Sequence, residues 1–250
     1  MSNKGNETDS DDELTLSSNA LAALQEFRLE EQQRQEEFQQ LFNAAEKEHE
    51  RRKQGIDLFK EDWQLSQFWY TNETADLLAE ALLDGADEDT VIAIVSAPSV
   101  YAALKKKPDG ELPTENIYLF EFDKRFELLA GKEHFRFYDF ADPLNFDETL
   151  KGKVHRLLID PPFLNEHCQT NSSITAKALL AENLENGLAS KENPQSCRLV
   201  SCTGERMAEV ISKVYPGTKI TSFLPEHANG LSNEFRCYAN FEWKGWKFSS

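Results

Sequence analysis

RLLIDPPFLN, residues 156–165, is an apolar run that climbs to Asp160 and then meets two prolines and a phenylalanine. Proline has a fixed φ and no N–H, so Pro161 and Pro162 end a strand abruptly. A residue before proline is pushed to extended geometry. Asp160 therefore leaves its strand extended, with carboxylate and carbonyl at the strand tip. The two prolines add carbonyls that no neighbouring N–H need claim. The outcome is a rigid set of acceptors without donors, beside the aromatic face of Phe163. Such a set suits an N–H₂ group: acceptors take its hydrogens, the ring stacks on what carries it, and the nitrogen lone pair points at an electrophile.

The flanking sequence makes 156–160 one strand among several. VIAIVS (91–96) reads as a buried strand, SVYAALKK (99–106) as a short helix and IYLFEFD (117–123) as a second strand. KRFELLAG is a helix closed by Gly131, and HFRFYDF (134–140) a third strand. After the fourth strand, a helix from Ser172 is expected to put Ile174, Ala178, Ala181, Leu184 and Leu188 near one face. RLVSC (198–202) is a fifth strand, followed by a helix with Met207, Val210, Ile211 and Val214 inward. KITSFLP (219–225) and NEFRCYANFEW (233–243) close the chain as two strands, and EHANGLS between them suits a hairpin. Alternating strands and helices predict an α/β fold: a mostly parallel sheet with helices on both faces and an antiparallel edge hairpin. Ligands of such sheets bind at the carboxyl ends of the strands, near the topological switch point.

Those ends carry the candidate residues. The first strand ends in Ser96-Ala97-Pro98-Ser99, the second in Glu121-Phe122-Asp123, the third in Tyr138-Asp139-Phe140 and the fourth in Asp160-Pro161-Pro162-Phe163. An acid after the second strand is the residue type that grips a ribose diol, which picks out Glu121. Asp139, one strand over, can accept from an adenine amino group. The alternative for these acids is helix capping, and Asp123 before KRFELL fits that role. A nucleoside site beside an amine cage points to methyl transfer from S-adenosylmethionine. Neither a GxxxxGK[ST] phosphate loop nor a GxSxG elbow is present.

The 250 residues allow one large domain or one domain with an appendage. Residues 1–13 are polar and acidic and are expected to be disordered. Residues 14–54 read as an N-terminal helical arm, with apolar patches around Leu21 and Phe38 separated by the polar run EEQQRQEE. Residues 55–250 read as the α/β domain that carries the strand-end candidates. Ahead of its first helix, which Thr71 or Asn72 caps and Gly85 stops, stand Phe68, Trp69 and Tyr70. They read as a hydrophobic anchor or as a pocket wall.

Net charge is −17, which argues against sequence-independent nucleic-acid binding and suits a basic protein partner or plain solubility. The four cysteines form no CxxC pair and match no zinc spacing, so no metal is expected. No secretory signal and no membrane-length apolar run are visible, and a reduced, cytoplasmic protein is expected. His134, His155, His167 and His227 lack ligand spacing and read as polar surface or local hydrogen-bonders.

SQFWY (66–70), VSAPSVY (95–101), LFEFDKRF (119–126), YDF (138–140) and LLIDPPFLNEHC (157–168), in this order, resemble the eukaryotic lysine methyltransferases of translation elongation factor 1-alpha. The resemblance covers residues 14–248. It implies a seven-stranded, Rossmann-like class I methyltransferase fold, S-adenosyl-L-methionine as methyl donor, and elongation factor 1-alpha, a basic protein, as substrate. By position it implies that Ser96, Ala97, Pro98 and Ser99 form the first cofactor loop. Glu121 is then the ribose acid, Asp139 the adenine-side acid, and Asp160, Pro161, Pro162 and Phe163 the methyl-acceptor motif. Trp69 and Tyr70 are candidates for a second wall of the slot that Phe163 bounds, and Asp160 also borders the cofactor. The broader class has a glycine-rich first loop where this chain has Ala97 and Pro98. The same four-residue motif also serves N6-adenine methyltransferases of DNA or RNA, and a non-catalytic scaffold with a helical interaction arm is the third reading.

Overall fold

The central strands are short runs of branched and apolar residues, each long enough to cross a sheet buried on both faces. In the computed structural model they are β1 (Ile92–Val95), β2 (Ile117–Glu121), β3 (Phe135–Phe137), β4 (Arg156–Ile159), β5 (Arg198–Gly204), β6 (Lys219–Ile220) and β7 (Phe235–Ala239). The helices are α1 (Asn72–Leu83), α2 (Pro98–Lys105), α3 (Glu127–Ala130), α4 (Glu166–Leu179) and α5 (Ala208–Val214). The structure describes residues 67–108, 110–181, 197–230 and 234–249, all within the unit spanning 49–250. The expected tail (1–13) and arm (14–54) lie outside the described residues, as do Leu184 and Leu188.

The seven strands form one sheet in the order β3-β2-β1-β4-β5-β7-β6. β1 to β5 are parallel, and β7 is antiparallel to both neighbours. Side chains alternate across the sheet. On one face Ala93, Val95, Leu157 and Ile159 pack with Ala176 and Leu179 of α4 and Ile211 of α5. The residues between them, Ile92, Ile94, Leu158 and Val200, are equally buried and meet the other layer, where α1 packs on α2. Helices therefore cover both faces of this α/β sheet, as the alternation of elements requires.

Three local expectations change. The last two strands are no simple edge hairpin: β7 inserts between β5 and β6, so the edge strand β6 runs parallel to β5. The insertion gives β7, with buried Cys237, Tyr238 and Ala239, partners on both sides. The helix expected from Ser172 begins at Glu166, because Asn165 caps it by accepting the Cys168 N–H at 2.9 Å. Its buried side is largely polar, with Gln169, Ser172, Ser173 and Thr175 inside, and Ile174 is exposed. The first helix is as expected, with the Thr71 hydroxyl accepting from the Thr74 N–H at 3.2 Å.

Asn240 secures the β5–β7 junction. Its side chain accepts from the Leu199 N–H and donates to the Cys197 carbonyl, both at 2.8 Å, in a fully buried position. Asn240→Ala strands two buried backbone groups and is expected to lower stability by about 2–4 kcal/mol, read from urea denaturation.

Candidate active site

The chain runs outward from β1 to β2 and β3, then returns to place β4 on the other side of β1. This reversal is the topological switch point. β1 and β4 end level with each other, Val95 beside Ile159, and the Asp160 N–H donates to the Val95 carbonyl at 3.0 Å. A cavity of about 560 Å³ opens over these ends. Every site residue expected from the sequence lines it: Trp69 and Tyr70, Ser96 to Ser99, Glu121, Asp139, and Asp160 to Phe163.

The first loop makes its turn without glycine. Ser96 has φ +57, the left-handed region, and is the one non-glycine residue with positive φ among those described. Its N–H is held by the Phe120 carbonyl at 2.9 Å, and Pro98 opens α2 directly behind it. The turn that a glycine commonly makes is here imposed on a serine, at a cost of about 1–2 kcal/mol. Ser99 is buried, and its hydroxyl accepts from the Tyr70 N–H at 3.3 Å.

Two acids stand at the β2–β3 end. Glu121 is buried, and one carboxylate oxygen accepts the N–H groups of Phe122 at 2.9 Å and Asp123 at 3.2 Å. Its other oxygen is left for a ligand hydroxyl. Burial raises the Glu121 pKa to about 7, although those two N–H groups pull it down. Asp139 is half-buried and uses one oxygen to accept the Ala141 N–H at 2.8 Å. Phe122 and Phe140 supply apolar walls beside the acids. A buried diol acceptor, a second acid and flat apolar sides fit a nucleoside. Asp123 takes the capping role, accepting from the Arg125 N–H at 2.9 Å and from Gln67 at 3.0 Å.

Asp160 forms the opposite end. The Tyr70 hydroxyl donates to its Oδ2 at 2.5 Å across 90 residues of sequence. Burial raises the Asp160 pKa to about 7, and the Tyr70 hydrogen bond opposes the rise. Among the described residues none donates to the Pro161 or Pro162 carbonyl. The Phe163 carbonyl is claimed by Gln169 of α4 at 3.2 Å, and Gln169 also donates to the Thr203 hydroxyl at 3.0 Å. Phe163 packs edge-on against Phe140 at 5.6 Å. Gly204 lies where a Cβ would meet a Leu164 methyl at 2.9 Å, so this exit loop sits hard against the end of β5.

The Phe68-Trp69-Tyr70 segment is both anchor and wall. Trp69 is buried edge-on against Phe126, while Tyr70 turns to Asp160. The Thr71 N–H donates to Glu226 at 2.9 Å, and the Ala228 N–H donates to Trp69 at 2.8 Å, pairing this segment with the loop before β7. That loop brings in His227, whose ring lies 4.7 Å from that of Tyr70, and Phe235 at 4.5 Å from His227. His227 and Phe235 line the cavity, as do Phe140 and Arg206. Sequence reasoning read His227 as polar surface or a local hydrogen-bonder; its bridge to Tyr70 holds it at the cavity. Among the described residues no group of three or more potential metal ligands comes together, and no helix is long and apolar enough to cross a membrane.

A family model described as probable N6-adenine methyltransferase matches residues 61–243. Protein-lysine N-methyltransferase EFM5 of Saccharomyces cerevisiae is 67% identical over 238 residues, covering 94% of this chain and 95% of that protein. EEF1A lysine methyltransferase 1 of Gallus gallus is 38% identical over 235 residues, covering 93% of this chain and 96% of its own. Its Homo sapiens counterpart is 39% identical over 230 residues, covering 91% and 92%.

Two outcomes are expected of the site itself. Ser96→Gly relieves the left-handed strain and keeps thermal stability within about 1 kcal/mol of the parent, whereas Ser96→Val loses about 1–2 kcal/mol. Asp160 binds its proton more tightly folded than unfolded, so its contribution to stability falls as pH rises from the ordinary carboxylate range to about 7. Asp160→Asn should therefore gain in Tm relative to the parent between about pH 5 and about pH 8; a constant difference across that window counts against a half-buried, proton-retaining carboxylate.

Proposed function

The chain belongs to the family of protein-lysine N-methyltransferases whose model carries the description of a probable N6-adenine methyltransferase, and we propose that its acceptor is a lysine of translation elongation factor 1-alpha. The names of the vertebrate relatives support that acceptor. The charge of −17 supports a basic protein partner and disfavours a polyanion. The observation that carries the chemistry is Asp160 at the switch point, one oxygen held by Tyr70 and two proline carbonyls beside it.

S-adenosylmethionine, when bound, supplies a methyl group made electrophilic by its sulfonium. Glu121 would hold its ribose diol, Asp139 its adenine side, and the Ser96–Ser99 turn would border the donor between them. Everything else falls to the acceptor end. A free lysine has a pKa near 10.4, so the neutral amine costs about 4.6 kcal/mol at pH 7. Only that neutral form has a lone pair. Desolvation in a slot walled by Phe163 and Phe140 lowers the amine pKa, as does a nearby positive charge. Asp160 and the proline carbonyls accept the N–H hydrogens and orient the lone pair toward the donor side. Asp160 orients rather than pairs with ammonium, because an ion pair there would hold the proton in place.

Purified protein incubated with tritiated S-adenosylmethionine and, separately, elongation factor 1-alpha, total tRNA and duplex DNA tests the reading. Label is expected on elongation factor 1-alpha alone, with Asp160→Ala reducing it by at least about 100-fold. Label confined to nucleic acid would establish the adenine reading in its place, and full activity in Asp160→Ala would remove the assigned role.

A further inference from the structure

Tyr70 makes more contacts with the site than a wall requires. Its backbone N–H is held by Ser99 of the first loop, its ring lies against His227, and its hydroxyl reaches Asp160. The side chain is buried, so the hydroxyl has no bulk water to choose as a partner. The β-bridge between Tyr70 and His227 fixes the backbone as well. A tyrosine pinned at backbone and ring presents its O–H to Oδ2 of Asp160, with the Cys202 thiol as the other group in reach.

We propose that Tyr70 is a positioning residue for methyl transfer: its hydroxyl occupies Oδ2 of Asp160, so that Oδ1 alone is presented to the acceptor nitrogen. This rests on the reading of Asp160 as the amine's acceptor. A carboxylate with two open oxygens can rotate about its terminal torsion, which is broad for aspartate. It can also take ammonium in a bidentate grip that retains the proton. Occupying one oxygen removes both options. The amine then meets a single directed carboxylate oxygen, and one proline carbonyl is enough to accept its second N–H, so a neutral amine is held with its lone pair turned outward. Orientation of this kind is worth up to about 100-fold in rate when lost.

Tyr70 also sets the charge state of its partner. Burial pushes the Asp160 proton affinity up and the Tyr70 hydrogen bond brings it down, so the hydroxyl keeps the carboxylate ionised at lower pH than burial alone permits. The phenol's own pKa is raised well above 10 by burial and by the Asp160 charge, so it remains a donor. The other polar groups around the pair are Glu121 at the end of β2, Cys168 of α4, Cys202 of β5, and His227 and Arg206 on the cavity wall. Among these the Tyr70 hydroxyl is the group hydrogen-bonded to the carboxylate.

The test is a cycle of Tyr70→Phe, Asp160→Asn and the double variant, assayed by single-turnover transfer from tritiated S-adenosylmethionine to elongation factor 1-alpha. Tyr70→Phe is expected to slow transfer by about 10–100-fold with donor binding nearly unchanged. In the Asp160→Asn background the same change should cost less than about threefold, because a residue acting through Asp160 has nothing left to act on. The acid limb of the kcat/KM profile should move to higher pH in Tyr70→Phe. With 3-fluorotyrosine at position 70, a stronger donor of nearly the same shape, it should move to lower pH. This second measurement stands even if Tyr70→Phe folds poorly. Parent-like transfer by Tyr70→Phe, additive losses in the cycle, or an acid limb unmoved by fluorination would overturn the proposal. A fully active Asp160→Asn would instead overturn the reading of Asp160 on which it rests, and the two failures are told apart by that single variant.

Discussion

The hydrogen bond from the Asp160 N–H to the Val95 carbonyl is the contact on which the site depends. It continues the β1–β4 pairing from the last residue of β1 to one residue past the end of β4. The two loops leaving those strands therefore start from fixed, adjacent points. One loop bends back through the left-handed Ser96 into α2; the other stiffens through Pro161 and Pro162 before Asn165 starts α4. Neither can drift without breaking the sheet at its centre, where every flanking side chain is buried. The separation between a donor beside Ser96 and an acceptor beside Asp160 is thus set by strand spacing, a quantity the fold cannot vary.

That rigidity has an electrostatic consequence. Glu121 and Asp160 are carboxylates held at strand ends in a largely apolar cavity, and burial raises both toward neutrality. Each is kept usable by a small number of donors: two backbone N–H groups for Glu121, one phenol for Asp160. In both cases the protein satisfies one oxygen, and both residues line the cavity. An acid prepared in this way is half-solvated before its ligand arrives, so binding need not strip a full hydration shell from it.

Much of this was legible in the sequence because its causes are local. Proline chemistry fixes the geometry after Asp160 wherever the motif stands, and alternating apolar segments announce a parallel sheet. Glu121, Asp139 and the Ser96–Ser99 turn followed once ligands were expected at strand ends. What could not be read depends on distance along the chain. The Tyr70–Asp160 contact spans 90 residues, and nothing near either residue signals it. His227 carries no periodic signal and is held at the cavity by its bridge to Tyr70 and by the Ala228–Trp69 hydrogen bond, again distant in sequence. The early start of α4 was hidden by its composition: Glu166 to Asn171 carries little apolar signal, but Gln169 is buried and braces the motif's own carbonyl.

These two kinds of residue divide the cavity. On the proposed reading the groups facing the donor come from the ends of β1, β2 and β3, where ligands of this architecture bind. Groups around the acceptor side come largely from additions to it: the 67–71 segment and the loop before β7, paired to each other through Trp69, Tyr70, His227 and Ala228. Asp160 is where the halves meet, its backbone held by β1 and its carboxylate by Tyr70. A change of acceptor from nucleobase to lysine can therefore leave the sheet and the four-residue motif intact and act only on the added segments. On the proposed reading the motif takes an amine and the residues around Tyr70 select which one, which is consistent with a family description as an adenine methyltransferase and relatives named for protein lysine.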